Sequence, residues 1–388
     1  MAKESNYKRL GDYIRLVDVR NRDLAVDNLL GLSISKQFIP SIANTIGTDM
    51  ANYKVVQPRQ FGYVPVTSRN GDKITVALYD GDKPCIISQA YIVFEVTDTD
   101  KLLPEYLMMW FRRPEFDRYA RFKSHGSARE VFEWDEMCDV MLPVPPIEEQ
   151  RKIVAEYQAV ERRIENNRRL IASLESTAQT IYRKMFVDNI APENLPQGWR
   201  IGTIGELGKV VTGKTPSSAC PEDFGDDIDF ITPGEFKDDD IFYSSPTRKL
   251  SKEGVNKLKS KLIPQFSLSV TCIGSDMGKV RICKDECISN QQINSIITHS
   301  KHHVPYLFYT LRGMKNELQQ LAVGSSTMPM LSKSEFENIN MLLPSEKELE
   351  KFYNFAAPIL GYCFFLENEI DVLYSVLSIL LNKLSSIS

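Results

Sequence analysis

Between Ile153 and Met185 the residues Ile153, Tyr157, Val160, Ile164, Asn167, Ile171, Leu174, Ala178, Ile181 and Met185 fall at alternating steps of four and three. Only an α-helix brings such positions onto one face, and a stripe sustained over more than four heptads is the seam of a coiled coil. A second stripe has the same spacing: Leu349, Phe352, Ala356, Ile359, Cys363, Leu366, Ile370, Leu373, Leu377, Leu380 and Leu384. Each marks a helix of about 40 residues, roughly 60 Å long at 1.5 Å per residue. Two helices of equal length, each with one apolar seam, are expected to pair with each other.

Both helices start at the same kind of boundary. VMLPVPPIEEQ (140–150) answers INMLLPSEKEL (339–349), with Pro145 and Pro344 lying 199 positions apart in a 388-residue chain. Proline ends an extended run and presets φ for the first helical turn. Other landmarks recur in the same order: Leu10-Gly11-Asp12 with Ile204-Gly205-Glu206, CIISQ (85–89) with CISNQ (287–291), and HGSAREVF (125–132) with VGSSTMPML (323–331). A period of domain size means duplication of a whole unit and not a solenoid.

Within each copy, β-like runs such as KITVALYD, CIISQAYIVFEV, FSLSVTCIG and INSIIT are separated by Gly, Asp and Pro turns. Helical stretches such as PEYLMMWFRRPEFDRYARF and VPYLFYTLRGMKNELQQLA accompany them. The expected fold is α+β: two mixed α/β domains joined by two long antiparallel coiled-coil helices, a pseudo-two-fold tandem repeat. The boundaries read as a first domain over 1–145, a helix over 146–187, a linker over 188–198, a second domain over 199–344 and a second helix over 345–386.

A two-fold axis between copies makes the helices antiparallel, so midpoint meets midpoint and Asn167 falls near Cys363 and Leu366. A single polar residue in an apolar seam can fix register. Pro358 must kink the second helix or break one of its backbone bonds. Phe355, Leu360, Tyr362, Phe364 and Phe365 exceed the needs of one seam, which suggests a further contact with the globular domains or with another subunit.

The net charge is −4 and the pI about 5.8, which argues against autonomous, charge-driven binding to nucleic acid. A local basic face, or binding with help from a partner, remains compatible. The opening MAKESNYKRL is polar, and the seven cysteines are scattered and odd in number. Reduced thiols and a cytoplasmic setting are expected. No run approaches the ~18 apolar residues of a membrane span.

Two motifs resemble catalytic or metal sites. GKVVTGKT (208–215) matches the phosphate-binding loop pattern, but that loop needs a helix opening at its Lys-Thr. Pro216, Pro221 and Gly225 forbid one, so a polar surface loop is expected, with Lys214 and Thr215 answering Arg20 and Asn21 of the first copy. Cys283, Cys287, His299 and His303 approach zinc-finger spacing. The segment between them is β-branched and strand-like, so no metal site is expected. Hydrolase elbows, HExxH and dinucleotide fingerprints are missing from the sequence, as is the [DN]PP[FY] motif of amino-methylating DNA methyltransferases. The chain reads as a recognition scaffold and not a catalyst.

The order of LPVPPIEEQRKIV, LPQGWRIGTIGEL, VVTGKTPSS, FITPGEF, VTCIGSDMGKV, SNQQIN and MPMLSKSEF resembles the specificity subunits of type I restriction–modification systems. These segments cover nearly the whole chain. The second helix departs from the pattern, reading SEKELEKF where the first has PIEEQRKI. The resemblance implies two target-recognition domains, each reading one half of a bipartite site on double-stranded DNA, with the helices setting the distance between half-sites. It also implies docking of two methyltransferase subunits that methylate adenine with S-adenosylmethionine, and of two restriction subunits that use ATP and Mg. No catalytic residue, metal or cofactor belongs to this chain on that reading.

Base reading calls for polar side chains on protruding loops. The candidates in the first domain are Arg20, Asn21, Arg59, Gln60, Arg69, Asn70, His125, Ser127 and Arg129. In the second they are Lys214, Thr215, Lys237, Ser275, Lys279, Asn290, Gln291, Gln292, Ser325, Ser326 and Thr327. Gln89 and Gln291 hold equivalent positions in the repeat, where a structural hydrogen-bonding role competes with reading. Two rivals stay open: a non-catalytic coiled-coil scaffold joining two protein-binding domains, and a P-loop nucleotidase.

Overall fold

The computed structural model describes the chain except for residues 1–6, 42–46, 69, 70, 72, 126–129, 189, 238, 239, 323–329, 387 and 388. The described residues form two compact units, one of residues 1–164 with 372–388 and one of 165–371.

The first unit is built on an antiparallel sheet. Its strands are β1 (Ile14–Val17), β2 (Phe61–Val64), β3 (Thr75–Leu78) and, after the short β4 (Cys85–Ile87), β5 (Ile92–Val96). The order is β1-β5-β2-β3, with β4 pairing instead to Lys54–Val56. α1 (Pro104–Phe111) is apolar apart from Glu105 in its first turn and almost wholly buried, as a helix of that composition must be. Its Phe111 meets Phe61 and Phe94 edge-on at 5.8 and 6.2 Å, while those two rings stack at 4.7 Å. Tyr7–Arg9 pairs with Met141–Pro143, so the proline boundary is the last strand of the domain, tied back to its beginning. α2 (Ile147–Phe186) follows.

The second unit repeats this plan. Its strands are β6 (Gly208–Thr212), β7 (Ile228–Ile231), β8 (Lys249–Leu250), β9 (Leu268–Thr271), β10 (Val280–Ile282), β11 (Cys287–Ser289) and β12 (Ile293–Thr298). The order β6-β12-β9-β10 reproduces the first sheet strand for strand, and β8-β7-β11 belong to a second sheet. α3 (His303–Gly313) takes the place of α1, and Arg200–Thr203 pairs with Asn340–Leu343 before α4 (Glu346–Lys383) begins. Tyr106 donates to the Pro143 carbonyl at 3.1 Å, and Tyr306 does the same to that of Leu342.

The helix starts differ between copies. In the first, buried Gln150 accepts from the Leu103 amide at 2.9 Å and donates to the Lys101 and Pro145 carbonyls, both at 2.8 Å. In the second, Leu349 is simply buried, and the His303 ring bridges the Leu207 carbonyl at 3.1 Å and Glu346 at 3.0 Å. That is the physical content of the departure at SEKELEKF.

Along α2 the seam residues Tyr157, Ile164, Asn167, Ile171 and Ala178 are buried, while Ile153, Val160, Leu174, Ile181 and Met185 are half-buried. Toward the end of α2 the more deeply buried residues are Tyr182 and Phe186. The cause is α3: Tyr182 lies 5.7 Å from the ring of Tyr309, and Phe186 lies 5.0 Å from Tyr306 and 5.3 Å from Phe352 of α4. On α4, Leu366, Ile370 and Leu377 are buried, but Ile359 and Leu373 only partly so.

Asn167 is 2 % exposed, and its amide donates to Glu369 at 2.8 Å. The partner thus lies one helical step beyond Leu366. Phe186 meeting Phe352 and Asn167 meeting Glu369 run in opposite directions along the two helices, an antiparallel pair within this unit. Pro358 stays on an exposed face inside a helix that continues through it. Of the apolar surplus, Leu360 is buried and Phe364 packs on Phe242 and Phe266 of the globular part, whereas Phe355, Tyr362 and Phe365 remain exposed.

Candidate nucleic-acid interface

Antiparallel pairing places the end of β6, the start of β12, the end of β9 and the start of β10 on one edge of the second sheet. The loops at this edge are locked together. Lys214 N–H donates to the Ser289 carbonyl at 2.8 Å, Gly213 N–H to Ile293 at 3.3 Å, and Cys272 N–H to Gln292 at 2.8 Å. Ile273 bridges Met330. Gly213 is required by this approach, because a Cβ there would lie 2.1 Å from the Ser289 carbonyl oxygen.

The same contacts dispose of the phosphate-loop pattern. The Gly213 and Lys214 amides are already bonded to neighbouring carbonyls, and an irregular segment with one short 3-10 turn (Pro221–Asp223) follows Thr215 where the motif needs a helix. The cysteines of the zinc-like spacing also have a packing role. Cys283 and Cys287 lie 3.8 Å apart, sulfur to sulfur, in a core with Ile231, Phe236, Tyr243, Ile263 and Ile293. His303 turns to Leu207 and Glu346.

The structure therefore brings Lys214, Thr215, Asn290, Gln291 and Gln292 together on one edge. Lys214 and Gln291 are exposed there, and Thr215 donates to Gln291 Oε1 at 2.8 Å. Asn290 is largely buried and bonded to Gln292, at 3.2 Å between side chains. Lys279 pairs with Asp276 at 2.8 Å. Lys237 is exposed in the loop after the Pro233–Glu235 turn, which itself follows β7. Ser275 sits in the Gly274–Asp276 turn, with its side chain outside the described residues, where Ser325, Ser326 and Thr327 also fall.

In the first unit the matching edge carries the loops after β1, between β2 and β3, and between β4 and β5. Val66 bridges Val131, and His125 bridges Val131 in turn, so exposed His125 lies on this edge. Arg69, Asn70, Ser127 and Arg129 lie outside the described residues. Arg20 is on the edge but held by Asp18 at 2.8 Å and the Asn52 carbonyl at 2.9 Å. Its guanidinium holds the Asp18 carboxyl below the usual range.

Three candidates do not fit an exposed reading surface on this edge. Asn21 is 1 % exposed and closes its own loop, donating to the Val26 carbonyl at 2.8 Å and accepting from the Val26 amide at 3.1 Å. Gln60 is buried and donates to Glu95 at 2.7 Å. Burial pushes the Glu95 carboxyl up, but bonds from Gln60 and Arg15 outweigh it and hold the group below its ordinary value. Arg59 lies at the start of β2, on the opposite edge, in a bidentate pair with Glu105 at 3.0 and 2.9 Å. It lines a cleft of about 600 Å³ with Arg112, Tyr157 and Glu161. Sequence position says that a residue is in a loop, but not at which end of the strand.

A model of the type I restriction modification DNA specificity domain matches residues 45–176 and again 196–357. The chain belongs to this specificity family. The double match coincides with the two repeats seen in sequence and sheet order. Among curated family members, the HindI specificity subunit of Haemophilus influenzae is 25% identical over 333 residues, covering 68% of this chain and 72% of that one. The MjaIX specificity subunit of Methanocaldococcus jannaschii is 23% identical over 302 residues, covering 74% of this chain and 69% of that protein. The crystal structure of an S subunit from M. genitalium has the same fold, with a TM-score of 0.62 at 14% identity over 98% of this chain and 95% of that one. No described helix is long and apolar enough to cross a membrane.

Proposed function

We propose that each repeat reads one half of a bipartite site on double-stranded DNA, and that α2 and α4 set the gap between the halves. The observation that carries this reading is the duplicated sheet edge, with polar loop side chains on the same edge of the same strand order in each copy. Exposed Lys214 suits phosphate contact, which supplies affinity and registration, while amide side chains suit base edges. The acidic composition fits a subunit whose phosphate-neutralising charge is shared with partners.

On this proposal the chain is non-catalytic and works in the cytoplasm. Two methyltransferase subunits dock on its helices and methylate adenine from S-adenosylmethionine. Two restriction subunits, with ATP and Mg, add translocation and cleavage. The test is to express the chain with its methyltransferase and map methylated adenines across the host genome. One bipartite motif with a fixed gap is expected; a continuous motif, or unmethylated DNA, overturns the reading.

A further inference from the structure

The connections from β4 to β5 and from β11 to β12 are the same turn, built twice. In the first, Tyr91 N–H donates to the Ser88 carbonyl at 3.0 Å, and Ala90 N–H to Ser88 Oγ at 3.3 Å. In the second, Ile293 N–H donates to the Asn290 carbonyl at 3.3 Å, and Gln292 N–H to Asn290 Oδ1 at 3.1 Å. Ser88 and Asn290 thus do one job, using a side-chain oxygen to brace the second amide of the turn. The residue carried at the tip is Gln89 in one copy and Gln291 in the other, and both are exposed.

The other polar side chains on these edges narrow the choice. Asn21, Asn290 and Gln292 are bonded within the protein, Arg20 to Asp18, and Lys279 to Asp276. The Gln291 oxygen accepts from Thr215, which orients the carboxamide, and its two N–H groups and one oxygen lone pair stay unused among the described residues. Nothing among the described residues bonds the carboxamide of Gln89. Lys214 and Lys237 can only donate, whereas a carboxamide offers a donor and an acceptor in one plane. In the major groove that pair matches N7 and the N6 amino group of adenine.

We infer that Gln89 and Gln291 are paired specificity residues, each reading an adenine in one half of the site through a bidentate contact. This rests on the bipartite reading proposed above. The test compares genome-wide methylation maps from complexes carrying wild-type chain, Gln89→Ala or Gln291→Ala. Each variant is expected to lose roughly ten-fold or more discrimination at one adenine position of one half, with the other half unchanged. Both variants should melt with the wild type, because the side chains are exposed. If wild type writes a bipartite motif and both variants write the same motif, the inference fails while the function stands. A uniform drop in methylation without a change of motif also overturns it, since phosphate contact or folding then explains the residues. A wild type that writes no bipartite motif overturns both.

Discussion

Asn21 and Lys214 show how residue type and residue role separate. Both are polar loop residues after the first strand of their sheets, yet Asn21 is buried and bonded to Val26 while Lys214 is exposed. Removing a buried, doubly bonded amide leaves backbone groups unpaired. Asn21→Ala is therefore expected to cost about 1–3 kcal/mol of stability in denaturant titration while leaving the methylation motif unchanged. Lys214→Ala should do the opposite: unchanged melting, weaker DNA binding on every sequence, and a salt slope reduced by about 1 in titrations of the assembled complex. A changed motif for Asn21→Ala, or an unchanged slope for Lys214→Ala, would contradict these placements. Side-chain direction is what the sequence could not supply, because it depends on loop contacts such as that of Lys214 with Ser289, which join distant parts of the chain.

At the scale of elements, heptad spacing was enough to locate both helices, since the period is a local property. What it missed, Tyr182 and Phe186, depends on α3 packing across α2. Glu367 on α4 was equally unmarked. Its carboxylate accepts from the Ile241 amide at 3.2 Å, with Asp240 and Lys284 nearby. Burial raises it from an ordinary value of 4.5 to about 7, so the folded chain keeps a proton over this window that the unfolded chain has released. Stability should therefore fall as pH rises from about 4.5 through 7 and level off above. Glu367→Gln keeps the acceptor without the charge. It is expected to melt higher than wild type at pH 8, by on the order of 1 kcal/mol, and close to it at pH 5. Parallel melting curves for the two proteins across that range would refute the assignment. The part-buried bond from Asn167 to Glu369 offers a second check. A double-mutant cycle to Ala at both should give a coupling of about 1 kcal/mol, and additive losses would remove its role in register.

Over the whole molecule, duplication was the most legible property, because landmarks such as CIISQ and CISNQ recur at the same strand and turn of each copy. It was less legible that the copies anchor their helices differently, through Gln150 in one and His303 with Glu346 in the other. Duplication gives the functional proposal its form, two readers and a spacer of fixed length. The most direct test of that claim inserts four residues, about 6 Å of helical rise, into α2 beside Asn167 and maps methylation in the assembled complex. Both half-motifs should be kept while the gap changes, or assembly and methylation should be lost together. The same motif with the same gap at full activity would contradict it.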